Sequence, residues 1–287
     1  LLQQWYCSQM LVIKWGNVFS SPFSVSNGVR QGGILSPILF NVFMDDLSCT
    51  LRDALFGCHL NGECYNHIIY ADDTVLVASS PTALQNLLDI SVTYFTEHKL
   101  LINKRKTKCM SVLPRDMAKL TVPKFFIDDS PITAVDQQCY LGVLLNSACS
   151  DNADIKTQVR SLYVRGNMIL QKFGHCSDEV KGQLFRNYCT SFYCLSLWSA
   201  FNRTTLEDLK VSYNNVFRFL FKLPRRGSVS YHFVNKGLPT FSFIRRNLCY
   251  SIFKRIISSP NYLVSNIVDS TFFACSSVFL EWMKVLF

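Results

Sequence analysis

The chain of 287 residues is 49% hydrophobic, with 23 phenylalanines and 12 tyrosines, so a core can be buried and wholesale disorder is excluded. Lysine and arginine outnumber aspartate and glutamate to leave a net charge of +9, a balance that suits a polyanionic partner. The 12 cysteines stand singly, without a Cys-x-x-Cys pair or zinc spacing, and no run of about 18 apolar residues occurs, so free thiols in a reducing compartment and no membrane span are expected.

The opening stretch LLQQWYCSQM has none of the layout of a secretory leader. Residues 11–30 read as two short strands around the turn KWGN. In NGVRQGGILSPILFNVFMDDLSCTLRD, Ser36 before Pro37 predicts an N-cap, and Leu39, Phe40, Phe43, Leu47 and Leu51 recur at helical spacing. A hairpin-like stretch with NGE follows, and then IIYADDTVLVASS. Here Ile68–Tyr70 and Val75–Val77 read as strands around the turn Asp72-Asp73. Ser80-Pro81 opens a second amphipathic helix with Leu84, Leu87, Leu88, Ser91 and Phe95 on one stripe. KCMSVLP, KFFIDDSPITAV and CYLGVLLN read as strands and turns. Three helical patterns fill residues 151–223: Ile155, Val159, Leu162 and Ile169; Val180, Leu184, Tyr188 and Phe192; Leu206, Leu209, Tyr213, Phe217 and Leu220. The break LPRRG ends the third, and beyond it SFIRRNLCYSIFKRI carries a weaker helical signal. The expected fold class is α+β, with the character changing near residue 148.

Three constellations carry chemistry. Asp72-Asp73 sets two negative charges side by side at a hairpin tip, which is either a solvated turn or a holder of divalent metal. GVRQGGILSP places three glycines and Gln31 directly before a helix N-terminus, which is either a Gly-rich turn or a phosphate cradle. In LLINKRKTKCM, Lys104, Arg105, Lys106 and Lys108 crowd just after a helix. They form either a solvated basic face or a counter-charge for phosphates.

Taken in order, GVRQGGILSPILFNVFMDDL, YADDTVLVASS, LLINKRKTKCM and CYLGVLLN resemble the reverse transcriptases of non-LTR (LINE-type) retrotransposons. The similarity runs from about residue 3 to about residue 225. It also takes in WYCSQMLVIKWGNVFSSPFSVSNGVRQGG and SLYVRGNMILQKFGHCSDEVKGQLFRNYCTSFYCLSLW, the latter like that family's thumb. The resemblance implies a right-hand polymerase palm with a helical thumb: palm over 1–148, thumb over 149–227, and a tail of uncertain fold over 228–287.

It also implies residue roles. Asp72 matches the metal-binding aspartate of the YADD turn, and Asp73 its supporting neighbour, with Mg²⁺ as the cofactor and Mn²⁺ as a substitute. Arg30, Gln31 and Gly32 match the loop that positions nucleotide and template. Lys106 matches the lysine that protonates the leaving pyrophosphate, and Tyr140, Leu141 and Gly142 match the primer grip. Arg160, Arg165, Lys172 and Lys181 are candidate contacts to the duplex backbone. The implied partners are an RNA template, a DNA primer and deoxynucleoside triphosphates, in the cytoplasm and nucleus, with no membrane and an open oligomeric state.

One departure stands out. The family's other metal aspartate lies in an FD motif upstream of the WY helix, and no Phe-Asp pair occurs before residue 28. Asp45 and Asp46 fall on a helix and read as its solvated face. The expectation is therefore an N-terminally truncated palm, inactive by itself, or alternatively a nucleic-acid-binding remnant without catalysis.

Overall fold

The computed structural model describes residue 4 and residues 8–25, 28–30, 32–113 and 123–287. In chain order it runs β1 (Met10–Leu11), β2 (Lys14–Trp15), β3 (Val18–Phe19), β4 (Phe23–Ser24), α1 (Ser36–Asp53), β5 (Cys58–Leu60), β6 (Glu63–Tyr65), β7 (His67–Tyr70), β8 (Asp73–Leu76) and α2 (Pro81–Glu97). Then come β9 (Lys108–Cys109), β10 (Phe126–Ile127), β11 (Ser130–Pro131), β12 (Thr133–Ala134), β13 (Gln137–Tyr140) and β14 (Val143–Asn146). Helices complete the chain: α3 (Asn152–Phe173), α4 (Asp178–Cys189), α5 (Arg203–Leu220), α6 (Ser230–Asn235), α7 (Phe241–Ile257), α8 (Tyr262–Asp269), α9 (Thr271–Ala274) and α10 (Ser277–Leu286).

This is an α+β fold in which the described strands join only in pairs. All are antiparallel hairpin or ribbon pairs except β9 with β12, which run parallel. Two compact units emerge, residues 1–58 with 64–101, and residues 59–63 with 102–287. The change of character near 148 marks where strands give way to helices inside the second unit.

In the first unit, Met44, Leu47 and Leu51 of α1 recur at helical spacing and bury against Leu87 and Tyr94 of α2. Ile69 of β7 and Leu76 of β8 pack on the same cluster. The Tyr94 hydroxyl donates to the Phe43 carbonyl at 2.5 Å, tying the two helices together. Ser80 caps α2 as its sequence foretold, accepting from the Ala83 N–H with Pro81 at the first helical position. Ser36 does not cap α1. Leu35 stands at the N-cap without a side-chain bond, because the Ser36 hydroxyl is engaged elsewhere.

In the second unit, α3 and α5 lie against one another and bury Ile155, Leu162 and Ile169 with Leu209, Tyr213, Val216 and Phe217. Aromatic rings fill the centre. Phe217 stacks on Phe233 at 3.9 Å between centroids, and Tyr213 lies parallel to Phe233 at 5.4 Å. Of the stripe expected here, Leu184 packs on the core and Phe192, beyond the helix end, is buried in it, but Val180 and Tyr188 are exposed and Lys181, Phe185 and Cys189 face the core instead. Phe185 decides this, since its ring meets Tyr213, Phe217 and Phe233 together.

Candidate functional site

The hairpin β7–β8 pairs His67 with Leu76, Ile68 with Val75, Ile69 with Thr74 and Tyr70 with Asp73. The two-residue turn is therefore Ala71-Asp72, one residue earlier than the sequence suggested, and Asp73 is the first residue of β8. Ala71 holds φ at +51°, a region that favours glycine, so the tip is strained by about 1 kcal/mol. Cross-strand partners share a face, so Asp73 projects with exposed Tyr70, away from the face by which Ile69 and Leu76 reach the core. Both carboxylates are exposed and make no ion pair with any described residue.

The base of this hairpin is locked to α1. Buried Asn66 donates from Nδ2 to the Leu51 carbonyl at 2.5 Å, which turns its Oδ1 toward His67 Nδ1 at 2.7 Å. That oxygen only accepts, so Nδ1 carries the proton and Nε2 accepts the Ser48 hydroxyl at 2.7 Å. Burial, with Arg52 adding to it, pushes the His67 pKa down and keeps the ring neutral. Val77 closes the anchor, its N–H donating to the Asn66 carbonyl at 2.8 Å. The tip aspartates thus ride on a stem fixed by core packing and a buried polar chain.

The Gly-rich loop is closed by a clasp that the sequence did not reveal. The Ser36 hydroxyl donates to the Arg30 carbonyl at 2.5 Å, and the Gly33 N–H donates to the same oxygen at 3.1 Å. A Cβ on Gly33 would fall 2.6 Å from Ser36 Oγ, so this close approach admits no side chain there. Arg30 and Gly32 are exposed. Gln31 lies outside the described residues. Ser36→Ala is expected to cost about 1 kcal/mol of stability by deleting a buried hydrogen bond, read in a denaturant melt. An unchanged melt would show that the clasp contributes nothing.

The basic run divides. Lys104 pairs with Asp128 at 2.6 Å. Lys106 is exposed and makes no ion pair with a described residue. It sits in a turn where its own N–H and that of Thr107 both donate to the Asn103 carbonyl at 3.0 Å. CYLGVLLN is a hairpin rather than one strand: Tyr140 pairs with Val143, and the turn is Leu141-Gly142, both at positive φ. Gly142 faces the Tyr193 ring, which a Cβ would meet at 3.1 Å. Behind this hairpin, Asp154 is only 3% exposed and accepts the Trp198 Nε1–H at 2.8 Å, while Asp151 accepts the N–H groups of Ser199 and Ala200 at 2.7 Å each.

Arg30, Gly32, Asp72 and Asp73 belong to the first unit; Lys106, Tyr140, Leu141 and Gly142 belong to the second. Of the basic residues on the later helices, Arg160 and Lys172 are exposed. Arg165 is half-buried, donating to the Ser161 and Ser191 carbonyls. Lys181 is 6% exposed, paired with Asp178 at 2.8 Å, and leaves the set of surface contacts. Asp45 and Asp46 are exposed on α1. Among the described residues no group of three or more His, Cys, Asp or Glu is placed to hold a metal, and no helix is long and apolar enough to cross a membrane.

Residues 1–145 match the family described as reverse transcriptase (RNA-dependent DNA polymerase), to which the chain belongs. Within that family it is a domain of the non-LTR retrotransposon kind. It is 31% identical over 153 residues to the Retrovirus-related Pol polyprotein from type-2 retrotransposable element R2DM of Drosophila melanogaster, covering 50% of this chain and 14% of that protein. It is 30% identical over 131 residues to the Pol polyprotein from type-1 retrotransposable element R2 of Popillia japonica, covering 43% and 21%. A match at 23% identity to the probable RNA-directed DNA polymerase from transposon BS of Drosophila melanogaster covers 78% of this chain, reaching into the helical region, and 25% of that protein. The chain thus spans a quarter or less of the length of each of these relatives.

Proposed function

We propose that this chain supplies part of a palm and a helical thumb for RNA-templated DNA synthesis. The observation that carries the reading is the β7–β8 tip, where two adjacent exposed carboxylates stand on a strained turn over a fixed stem. Hard oxygen donors without a competing cation suit Mg²⁺ or Mn²⁺, and Asp72, with Asp73 beside it, would hold the ion. A divalent ion held there would activate the primer 3′ hydroxyl and neutralise the charge of the leaving pyrophosphate.

The remaining roles belong to the chain's own side chains. The 3′ oxygen forms a bond to the α-phosphorus of the incoming nucleotide while the bond to pyrophosphate breaks. Arg30, Gln31 and Gly32 hold nucleotide and template in register, on a loop fixed by Ser36. The Lys106 ammonium gives its proton to the departing pyrophosphate oxygen. Tyr140, Leu141 and Gly142 support the primer strand, and Arg160 and Lys172 follow the duplex backbone.

Primer extension on an RNA template tests this reading. The chain joined in frame to a family segment bearing the FD aspartate should extend, and its Asp72→Ala form should not. Product that persists in Asp72→Ala would overturn the role given to Asp72. Salt-sensitive duplex binding without extension in either form would favour the second reading, a binding remnant, which the +9 charge supports.

A further inference from the structure

Helix α7 has a face that the polymerase chemistry does not use. Phe241, Ile244 and Cys249 point into the core. On the outer side, Phe243, Arg246, Asn247, Tyr250, Lys254 and Ile257 are all exposed and recur at i, i+3, i+4 and i+7. They form one stripe in which aromatic rings alternate with cations. Phe243 is 62% exposed and Tyr250 55%.

The helix carries four basic residues and no acidic one. Its neighbour α10 has one acid, Glu281, already bound by Arg245 at 2.5 Å. Arg246 donates from Nε to the Val285 carbonyl of α10 at 3.2 Å, and neither Nη group has a described partner. Between α7 and α10 lies an open groove of about 390 Å³, lined by Phe243, Arg246, Asn247, Tyr250, Phe253, Leu286 and Phe287.

The geometry points to a binding face for single-stranded nucleic acid along α7, in which Phe243 and Tyr250 stack on bases, Asn247 meets a base edge and Arg246 and Lys254 take phosphates. Seven residues of helix separate the two rings by about 10 Å along the axis. That is about three times the ~3.4 Å rise per nucleotide of a stacked strand. The rings therefore engage bases about three nucleotides apart, or neighbouring bases splayed from their stack. A duplex offers neither, since its bases are already stacked on one another. Four cations and no acid on the helix favour a polyanion over a protein partner.

The experiment is fluorescence anisotropy of the full chain with labelled 12-nucleotide single-stranded RNA and with a duplex of the same length. Phe243→Ala and Tyr250→Ala are each expected to weaken single-strand binding by about 5- to 100-fold, as loss of one base stack does, with little change for the duplex. Tyr250→Phe should bind as the parent does, and Tyr231→Ala, at an exposed ring on α6, should leave binding intact. Circular dichroism melts confirm that each variant folds. Photo-crosslinking with 5-iodouridine RNA should attach at Phe243 or Tyr250. Unchanged affinity in both alanine variants overturns the proposal. So does a self-associated chain that Phe243→Ala disperses without affecting RNA affinity, because it assigns the stripe to a protein contact.

Discussion

Asp72→Ala in the extension-competent fusion should lower nucleotide incorporation by about 10⁴-fold, the scale seen when a group that acts directly on the reacting atoms is removed. Asp72→Asn should fall equally far, since it keeps the shape and loses the charge that binds metal. Asp73→Ala should cost less, about 10- to 100-fold, in keeping with a supporting carboxylate. The structure gives the two residues different positions: Asp72 in the turn, Asp73 across from Tyr70 on the outer face of β8. Neither side chain is buried, so all three variants should unfold within about 0.5 kcal/mol of the parent. Single-turnover primer extension at saturating nucleotide, beside a denaturant melt, reads both quantities. Equal losses in Asp72→Ala and Asp73→Ala would remove the distinction between them.

Phe217→Ala should destabilise the second unit by about 3–5 kcal/mol. Phe217 is wholly buried, and its ring meets Phe233 at 3.9 Å, Phe221 at 4.8 Å and Phe185 at 5.6 Å. Phe185 on α4, Phe233 on α6 and Phe221 just beyond the end of α5 cannot all close on the space left by a phenyl ring, so a cavity term adds to the lost transfer energy. Tyr231→Ala, at an exposed position, serves as the control and should stay within about 0.5 kcal/mol. Urea unfolding followed by circular dichroism gives both values. A cost near 1 kcal/mol for Phe217→Ala would mean that the aromatic centre repacks.

Much of this architecture was legible because it is local. The Ser80-Pro81 helix start, the apolar stripes of α2, α3 and α5, the Leu47 and Leu51 part of the α1 stripe (Phe43 is exposed and Met44 buried in its place), and the Asn-Gly turn between β5 and β6 follow from spacing and turn chemistry alone. The misread features have partners far away in sequence. Ser36 was read as a cap, but its hydroxyl is taken by the Arg30 carbonyl across the loop. The YADD turn was placed one residue late, because turn preferences favour aspartate over alanine at positive φ. Here register overrides preference: pairing Ile69 with Thr74 keeps Ile69 and Leu76 on the core and leaves Ala71 the strained place.

Lys181 was read as a surface cation. The α4 stripe that buries it is set by Phe185, whose partners lie 28 to 48 positions further on. Asp154 drew no attention, because nothing local marks a carboxylate whose partner is Trp198. The candidate site was legible as motifs, and the groups that fix it were not: Ser36, Asn66 and His67 act through bonds to backbone or side chains of other elements.

Iron-directed cleavage tests divalent-metal binding at the β7–β8 tip without requiring turnover. Fe²⁺ takes the place of Mg²⁺, and ascorbate with peroxide then cuts the backbone beside the bound ion. Cuts are expected at residues 70–74, suppressed by excess Mg²⁺ and absent in Asp72→Ala. Cleavage elsewhere, or cuts at the tip that persist in Asp72→Ala, would contradict metal binding there.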